Sequence, residues 1–427
     1  MSKLQELIQR LCPNGVEYKK LGEIGTFENI GVDKKINPVE KEVVLLNYVD
    51  VYKHQYIDRT IPKMVVTASE KKIQNCTVEQ WDLFITPTSE TRDDIGHASV
   101  ITETLDKTVY SYHIMRFRLN NPNRVTACYI RYLFETSIVQ KQIYRFASGQ
   151  TRFGLSKYKF AEILIPVPPL EVQEEIVMIL DSFSDYAAEL QAELQARKEQ
   201  YEYYRNLLLT FNPAGCAGEA DDEQEGSVTT WGGHSYPIQW KTMGEIGKIK
   251  MCKRVMKNQT TDRGDIPFYK IGTFGKKADA FISRKIFDEY KRLYSYPRKG
   301  TILVSASGTI GRCVVYEGEE AYYQDSNIVW LDNDESIVLN TYLYHYYQIV
   351  NWNTEGGTIK RLYNDRFAST PIPIPPLELQ EKIVAILDRF ETLVNDLSEG
   401  LPAEIAAVKE QYEYYRNRLL TFKEKTA

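Results

Sequence analysis

Two pairs of short polar segments, lying in equivalent places along the 427 residues, carry side chains suited to gripping an anion and reading hydrogen-bonding edges rather than to breaking bonds. Thr86–Arg92 (TPTSETR) corresponds to Val304–Ile310 (VSASGTI). The hydroxyls of Thr88, Ser89, Thr91, Ser305, Ser307 and Thr309, with free backbone N–H groups and Arg92, suit phosphate oxygens. Ser148–Phe153 (SGQTRF) corresponds to Glu355–Arg361 (EGGTIKR). There Thr151 and Thr358 can hold the nucleic-acid backbone, while Gln150, Arg152, Lys360 and Arg361 are of the types that read guanine or adenine in the major groove. Lys34, Lys35, Lys53, Lys253, Arg254, Lys276 and Lys277 are further cationic candidates, with Lys71, Lys72 and Lys257 beside them.

Bond-breaking chemistry has no comparable set of residues. Both Pro-Pro pairs precede Leu170 and Leu377 at helix starts instead of an aromatic, and no glycine-rich cofactor loop follows a strand, so an N-methyltransferase site is not expected. A phosphate-binding loop of the G-x-x-x-x-G-K-[ST] type is missing. Asp93-Asp94 lacks the second strand-borne carboxylate of a nuclease. His54, His97, His113, His234 and His345 have no mutual metal spacing, and the six cysteines are scattered without a CxxC. No catalytic residue, metal site or cofactor is expected in this chain.

Charge is unevenly distributed. Residues 1–165 carry 23 Lys and Arg against 19 Asp and Glu, and residues 236–371 carry 20 against 15. Residues 166–235 carry 3 against 14, and residues 372–427 carry 7 against 10. Two cationic lobes thus alternate with acidic segments, a pattern that attracts phosphates at two places with a gap between them. No apolar run approaches the roughly 18 residues that a membrane span needs, and the start is a short amphipathic helix rather than an export signal, so a soluble cytoplasmic protein is expected.

The elements that must position these loops are written twice. Lys198–Phe211 (KEQYEYYRNLLLTF) and Lys409–Phe422 (KEQYEYYRNRLLTF) agree at 13 of 14 positions. Ile165–Phe183 and Ile372–Phe390 agree at 14 of 19. Pro-Pro-Leu-Glu marks each helix start, because Pro suits the entry and Glu the N-terminal dipole. Leu190, Leu194, Arg197, Tyr201, Tyr204, Leu208 and Phe211 step at heptad spacing, as do Leu401, Ile405, Val408, Tyr412, Tyr415, Leu419 and Phe422. The spacing predicts an antiparallel pair that buries both seams and acts as a ruler. The first helix carries a tandem AELQ at Ala188–Gln195 and should run unbroken from about Glu171 to Phe211, whereas Gly400 and Pro402 should split the second. Between the helices the faint match of Gly22-Glu-Ile-Gly25 with Gly244-Glu-Ile-Gly247 marks the same duplication.

The fold class expected is α+β: mixed lobes at 1–165 and 236–371, long helical segments at 166–211 and 372–427 packed as an antiparallel coiled coil, and an acidic Gly- and Pro-containing linker at 212–235, with pseudo-twofold internal repetition. Strands are expected near Val43–Val49, Leu83–Thr86, His113–Leu119, Thr301–Ser305, Cys313–Tyr316 and Asn327–Leu331, and helices over Tyr129–Tyr144 and Thr341–Trp352.

The duplicated Ile-Pro-x-Pro-Pro-Leu-Glu-x-Gln-Glu-x-Ile-Val starts, the Gln200–Arg205 and Gln411–Arg416 helices and the Leu-Leu-Thr-Phe ends resemble the specificity subunits of type I restriction-modification systems. The resemblance implies that the lobes are two target recognition domains, each reading half of a split site in double-stranded DNA, and that the helices set the gap and recruit two methyltransferase subunits. It further implies S-adenosylmethionine on the methyltransferase, and ATP and Mg on a restriction subunit. Because Arg152 and Phe153 answer to Ile359 and Lys360, the two half-sites should differ. A self-sufficient methyltransferase or nuclease and a protein-binding coiled-coil scaffold stay open as other readings.

Overall fold

The computed structural model describes residues 3–211, 227–355, 360–396 and 398–425. The chain divides into two compact units, one of Met1–Gln191 with Glu404–Ala427, the other of Ala192–Ala403. Each unit therefore combines one lobe with helical segments drawn from both copies of the repeat.

In the first unit a five-stranded sheet has the order Gly25–Glu28, Met115–Leu119, Leu83–Ile85, Ala98–Ile101, Tyr56–Ile57, antiparallel except at its last pair. Leu83 and Ile85 face one core while Phe84 between them faces another. Apolar residues cover both faces, which is why such strands appear in the sequence as short continuous apolar runs rather than as alternation. The second unit repeats the order with Gly247–Lys250, Ile328–Asn333, Ile302–Ser305 and Cys313–Val315. There Ile302 and Val304 enter one core, and Leu303 and Trp330 the other. The faint glycine match has a cause in packing. A Cβ at Gly22 would meet Ala161 Cβ at 2.9 Å, and one at Gly244 would meet Ala368 Cβ at 3.2 Å.

Helix Leu170–Leu209 is continuous over 40 residues, and its repeat is split into Leu377–Asn395 and Leu401–Leu419, as Gly400 and Pro402 predict. Within the first unit Phe183 stacks on Tyr415 with ring centroids 5.6 Å apart, and the Tyr186 hydroxyl donates to Glu404 at 2.6 Å. Those two pairs run in opposite directions along the two segments, so here the helices are antiparallel. Within the second unit Tyr204 stacks on Phe390 at 5.6 Å.

Three strand and helix expectations are corrected. The strand expected to reach Val49 ends at Leu46, because Asn47 and Asp50 form a capping box that starts helix Tyr48–Lys53. The helix expected over Tyr129–Tyr144 is two, Ala127–Phe134 and Ser137–Phe146, with the Thr136 side chain capping the second; the helix expected to reach Trp352 ends at Tyr347. Residues 212–226 of the expected linker lie outside the described residues, while Ser227–Trp231 pairs with His234–Thr242 as a hairpin.

Candidate nucleic-acid interface

The two polar loops of each lobe, far apart in sequence, are neighbours in the structure. In the first unit Gly154 pairs with Thr88 and Phe153 with Ser89, and the Leu155 N–H donates to the Pro87 carbonyl at 2.9 Å. In the second, Ser307 bridges Arg361, and the Leu362 N–H donates to the Ala306 carbonyl at 2.9 Å.

Around the first junction Lys53, Thr88, Ser89, Thr91, Thr151 and Arg152 line one cleft of about 870 Å³. Arg152 donates to the Thr88 hydroxyl at 3.1 Å, and Gln150 stands exposed beside it on the hairpin tip. Arg92 lies over the Phe153 ring at 5.0 Å, so its guanidinium is held by an aromatic face. The back of the cleft is a hydrogen-bonded network: the Ser89 hydroxyl donates to Asp94 at 2.6 Å, the Tyr52 hydroxyl at 3.1 Å, and His97 Nε2 lies 2.9 Å from the same carboxylate. Burial opposes ionisation of Asp94, but these three partners outweigh it and hold the carboxyl below its usual range. Burial, then the charges of Arg152 and Lys34, lowers the His113 pKa from its ordinary value. Lys34 and Lys35 are both exposed, Lys35 paired with Asp33 at 2.9 Å.

The second cleft, about 660 Å³, is lined by Arg254 and Arg361 with Lys257, Lys270, Gln324 and Asn327. It is salted with carboxylates, since Arg254 pairs with Asp325 at 2.9 Å and Lys270 with Asp279 at 2.9 Å. Arg361 donates to Asn327 at 2.9 Å and to the Ser326 hydroxyl at 3.1 Å. Lys253, Lys276, Lys277, Thr309 and Lys360 are exposed but do not line this cleft. Thr358 lies outside the described residues.

Three hydroxyls picked from sequence serve the fold instead. Ser305 is 1% exposed; it donates to the Thr309 carbonyl and accepts from the Arg312 N–H, so it closes its own turn. Ser307 is spent on Asn327 at 2.8 Å and Ser89 on Asp94. Conversely, Tyr48, Val49 and Tyr52 line the first cleft and were missed. The Asn47–Asp50 cap was the signal that would have placed them on a helix.

The near-identical helices end in matching sockets. In the second unit Tyr201 and Arg205 reach Gln348 at 3.5 and 3.0 Å; in the first, Tyr412 and Arg416 reach Glu135 at 2.6 and 3.0 Å. Burial, then Glu391, pushes the Tyr201 hydroxyl up to about 12, so it stays a neutral donor. Gln173 donates to Pro168 and Arg124 carbonyls, and Gln380 donates to Pro375 and Ile337 carbonyls, so each helix start is pinned identically. His345 lies 2.7 Å from Asp388 where Tyr132 donates to Asp181 at 2.5 Å. Among the described residues His345, Asp388 and Glu391 have ligand atoms within 4.8 Å of one another, yet the equivalence with Tyr132 and Asp181 marks them as a helix anchor.

Of the seam positions, Leu190, Tyr201, Leu401, Ile405 and Val408 are buried, and Leu194, Arg197, Tyr204, Leu208, Phe211, Tyr412, Leu419 and Phe422 half-buried. Tyr415 is 40% exposed although its ring stacks on Phe183. Leu209 and Leu420, each the residue after a seam leucine, are fully buried.

Residues 13–199 and 237–407 match the sequence profile described as the type I restriction modification DNA specificity domain. A putative type I restriction enzyme specificity subunit of Haemophilus influenzae is 52% identical over 286 residues, 65% of this chain and 68% of that one. The EcoR124I/EcoR124II specificity subunit of Escherichia coli is 29% identical over 99% of this chain and 98% of its own length. A solved chain from work on assembly and conformational transition of the type I restriction-modification system is similar in fold, with TM-score 0.58 at 18% identity, covering 96% of this chain and 98% of that one.

Proposed function

The chain belongs to the type I restriction-modification DNA specificity family, and on that premise we propose that its two lobes each read one half of a split, asymmetric DNA target while its paired helices recruit two methyltransferase subunits and, through them, a restriction subunit. The observation that carries this reading is the contrast between what is repeated and what is not. The sockets for Tyr201–Arg205 and Tyr412–Arg416 are built alike, whereas the clefts are not. One cleft is aromatic and hydroxyl-rich, the other is lined by paired cations and carboxylates. Like surfaces suit like partners; unlike clefts suit unlike sequences.

The reading assigns Arg152, Gln150, Thr151 and Lys53 to the first half-site, with Arg254, Lys257, Lys360 and Arg361 on the second. Lys34, Lys35, Lys253, Lys276 and Lys277 serve phosphates. Methyl transfer, with S-adenosylmethionine, then belongs to the partner subunit, and the chain itself supplies recognition without catalysis. Fluorescence anisotropy on the chain reconstituted with its methyltransferase tests this: tight binding to a target duplex that weakens steeply with salt and exceeds binding to scrambled duplex is expected. Methylation or cleavage by the purified chain alone, or equal affinity for every duplex, would overturn it.

A further inference from the structure

The first unit bears a groove of about 620 Å³ between its lobe and the start of the long helix. Trp81, Leu119, Pro122, Val177 and Met178 make its apolar surface, with Glu174 and Asp185 beside them. Trp81 is 47% exposed and Met178 55%.

Trp81 is held with φ at +70°, a conformation that bulky L-residues avoid because Cβ crowds the carbonyl oxygen. The second unit shows what the turn itself needs. Trp81 N–H donates to Ile101 and Ile101 N–H to Asp82; Gly300 N–H donates to Tyr316 and Tyr316 N–H to Thr301. The two turns are the same, and the second has glycine, at φ +86°, where the first has tryptophan. The other groove positions diverge in the same sense. Leu119 pairs with Gly25 where Asn333 pairs with Gly247, and Met178 stands in the repeated helix start where the sister copy has Ala385. Asp185 is answered by Thr392 and Ser182 by Arg389. A strained, half-exposed tryptophan is a poor choice for stability alone, and a set of groove residues that differs at the sister positions of the second unit is not explained by the duplicated helix.

We infer that this groove docks a segment of one methyltransferase subunit, an apolar anchor side chain flanked by Lys or Arg, so that the two subunits are held unequally and the one at the first unit more tightly. The inference rests on the recruitment reading above. Charge complementarity selects the occupant: neither Glu174 nor Asp185 has an ion-pair partner among the described residues, and an apolar floor edged by carboxylates repels phosphate while welcoming a basic amphipathic segment.

Native mass spectrometry of the full chain titrated with its methyltransferase subunit tests it, using Trp81→Gly and Met178→Ala. For the unaltered chain, the stepwise dissociation constants should differ by roughly tenfold or more beyond the statistical ratio, as expected when one interface gains an aromatic anchor. Trp81→Gly should bring the two constants together by weakening the tighter one, while melting at or above the temperature of the unaltered chain, since glycine suits the turn. Met178→Ala should act in the same direction, more weakly. Equal constants in the unaltered chain, constants untouched by Trp81→Gly, or a lowered melting temperature would overturn the groove's role while leaving recruitment standing. A failure of the unaltered chain to bind the subunit at all would overturn recruitment itself.

Discussion

Arg152 is exposed on the hairpin tip, hydrogen-bonded to Thr88 and lining the cleft, and on the proposed reading it contacts one base pair. Arg152→Ala should cost about 1–3 kcal/mol of specific binding and relax one position of the target, read by binding a panel of single-substituted duplexes. Lys276→Ala with Lys277→Ala should instead weaken binding evenly across sequences and lower the salt slope by about 2, since each lysine is expected to release one counterion. His113 gives a pH handle. Burial, Arg152 and Lys34 lower its pKa when DNA is absent; a bound phosphate favours the imidazolium, so binding takes up a proton. Affinity should therefore rise as pH falls below about 6.5, the ordinary histidine value. His113→Gln should flatten that rise, and an unchanged slope would show that His113 does not sense the bound DNA.

At the scale of elements the repeat makes a controlled comparison. Glu135 is the only ion-pair partner among the described residues for Arg131, whose side chain is fully buried, and it also receives Arg416. Glu135→Ala should therefore cost about 3–5 kcal/mol, as when a buried pair loses one member. Gln348→Ala, the sister change, removes one neutral acceptor and should cost about 1 kcal/mol. Urea unfolding of the two variants checks the difference, and equal losses would show that the sockets are not as the structure has them. Insertion of a third AELQ after Gln195 should add about 6 Å of helix and widen the gap between half-sites, whereas an unchanged gap would deny the helices their role as ruler. The helices were legible in the sequence because heptad spacing, Pro-Pro starts and the Gly400–Pro402 break are local signals. The cleft was legible only in part. The correspondence of loops between the two lobes followed from the repeat, but whether a serine faces solvent or its own turn depends on backbone acceptors such as the Thr309 carbonyl, which a sequence does not display. Tyr48 and Tyr52 escaped because Asn47 was read as lying inside a strand that runs on to Val49 rather than as a helix cap.

Taken as a whole, the molecule repeats a sheet order and a helix socket while varying what lines the clefts. On the proposed reading, the repeated parts serve identical partners and the varied parts serve two different stretches of DNA. It also means that each lobe should carry its own half of the recognised sequence, so exchange of residues 236–371 for those of a relative should change one half-site and leave the other. The most direct test is to map methylated adenines in a host that carries this chain with its methyltransferase and no other such system. A single motif of two unlike halves separated by a fixed run of unspecified bases is expected. A palindromic motif, or one uninterrupted block of specified bases, would contradict it.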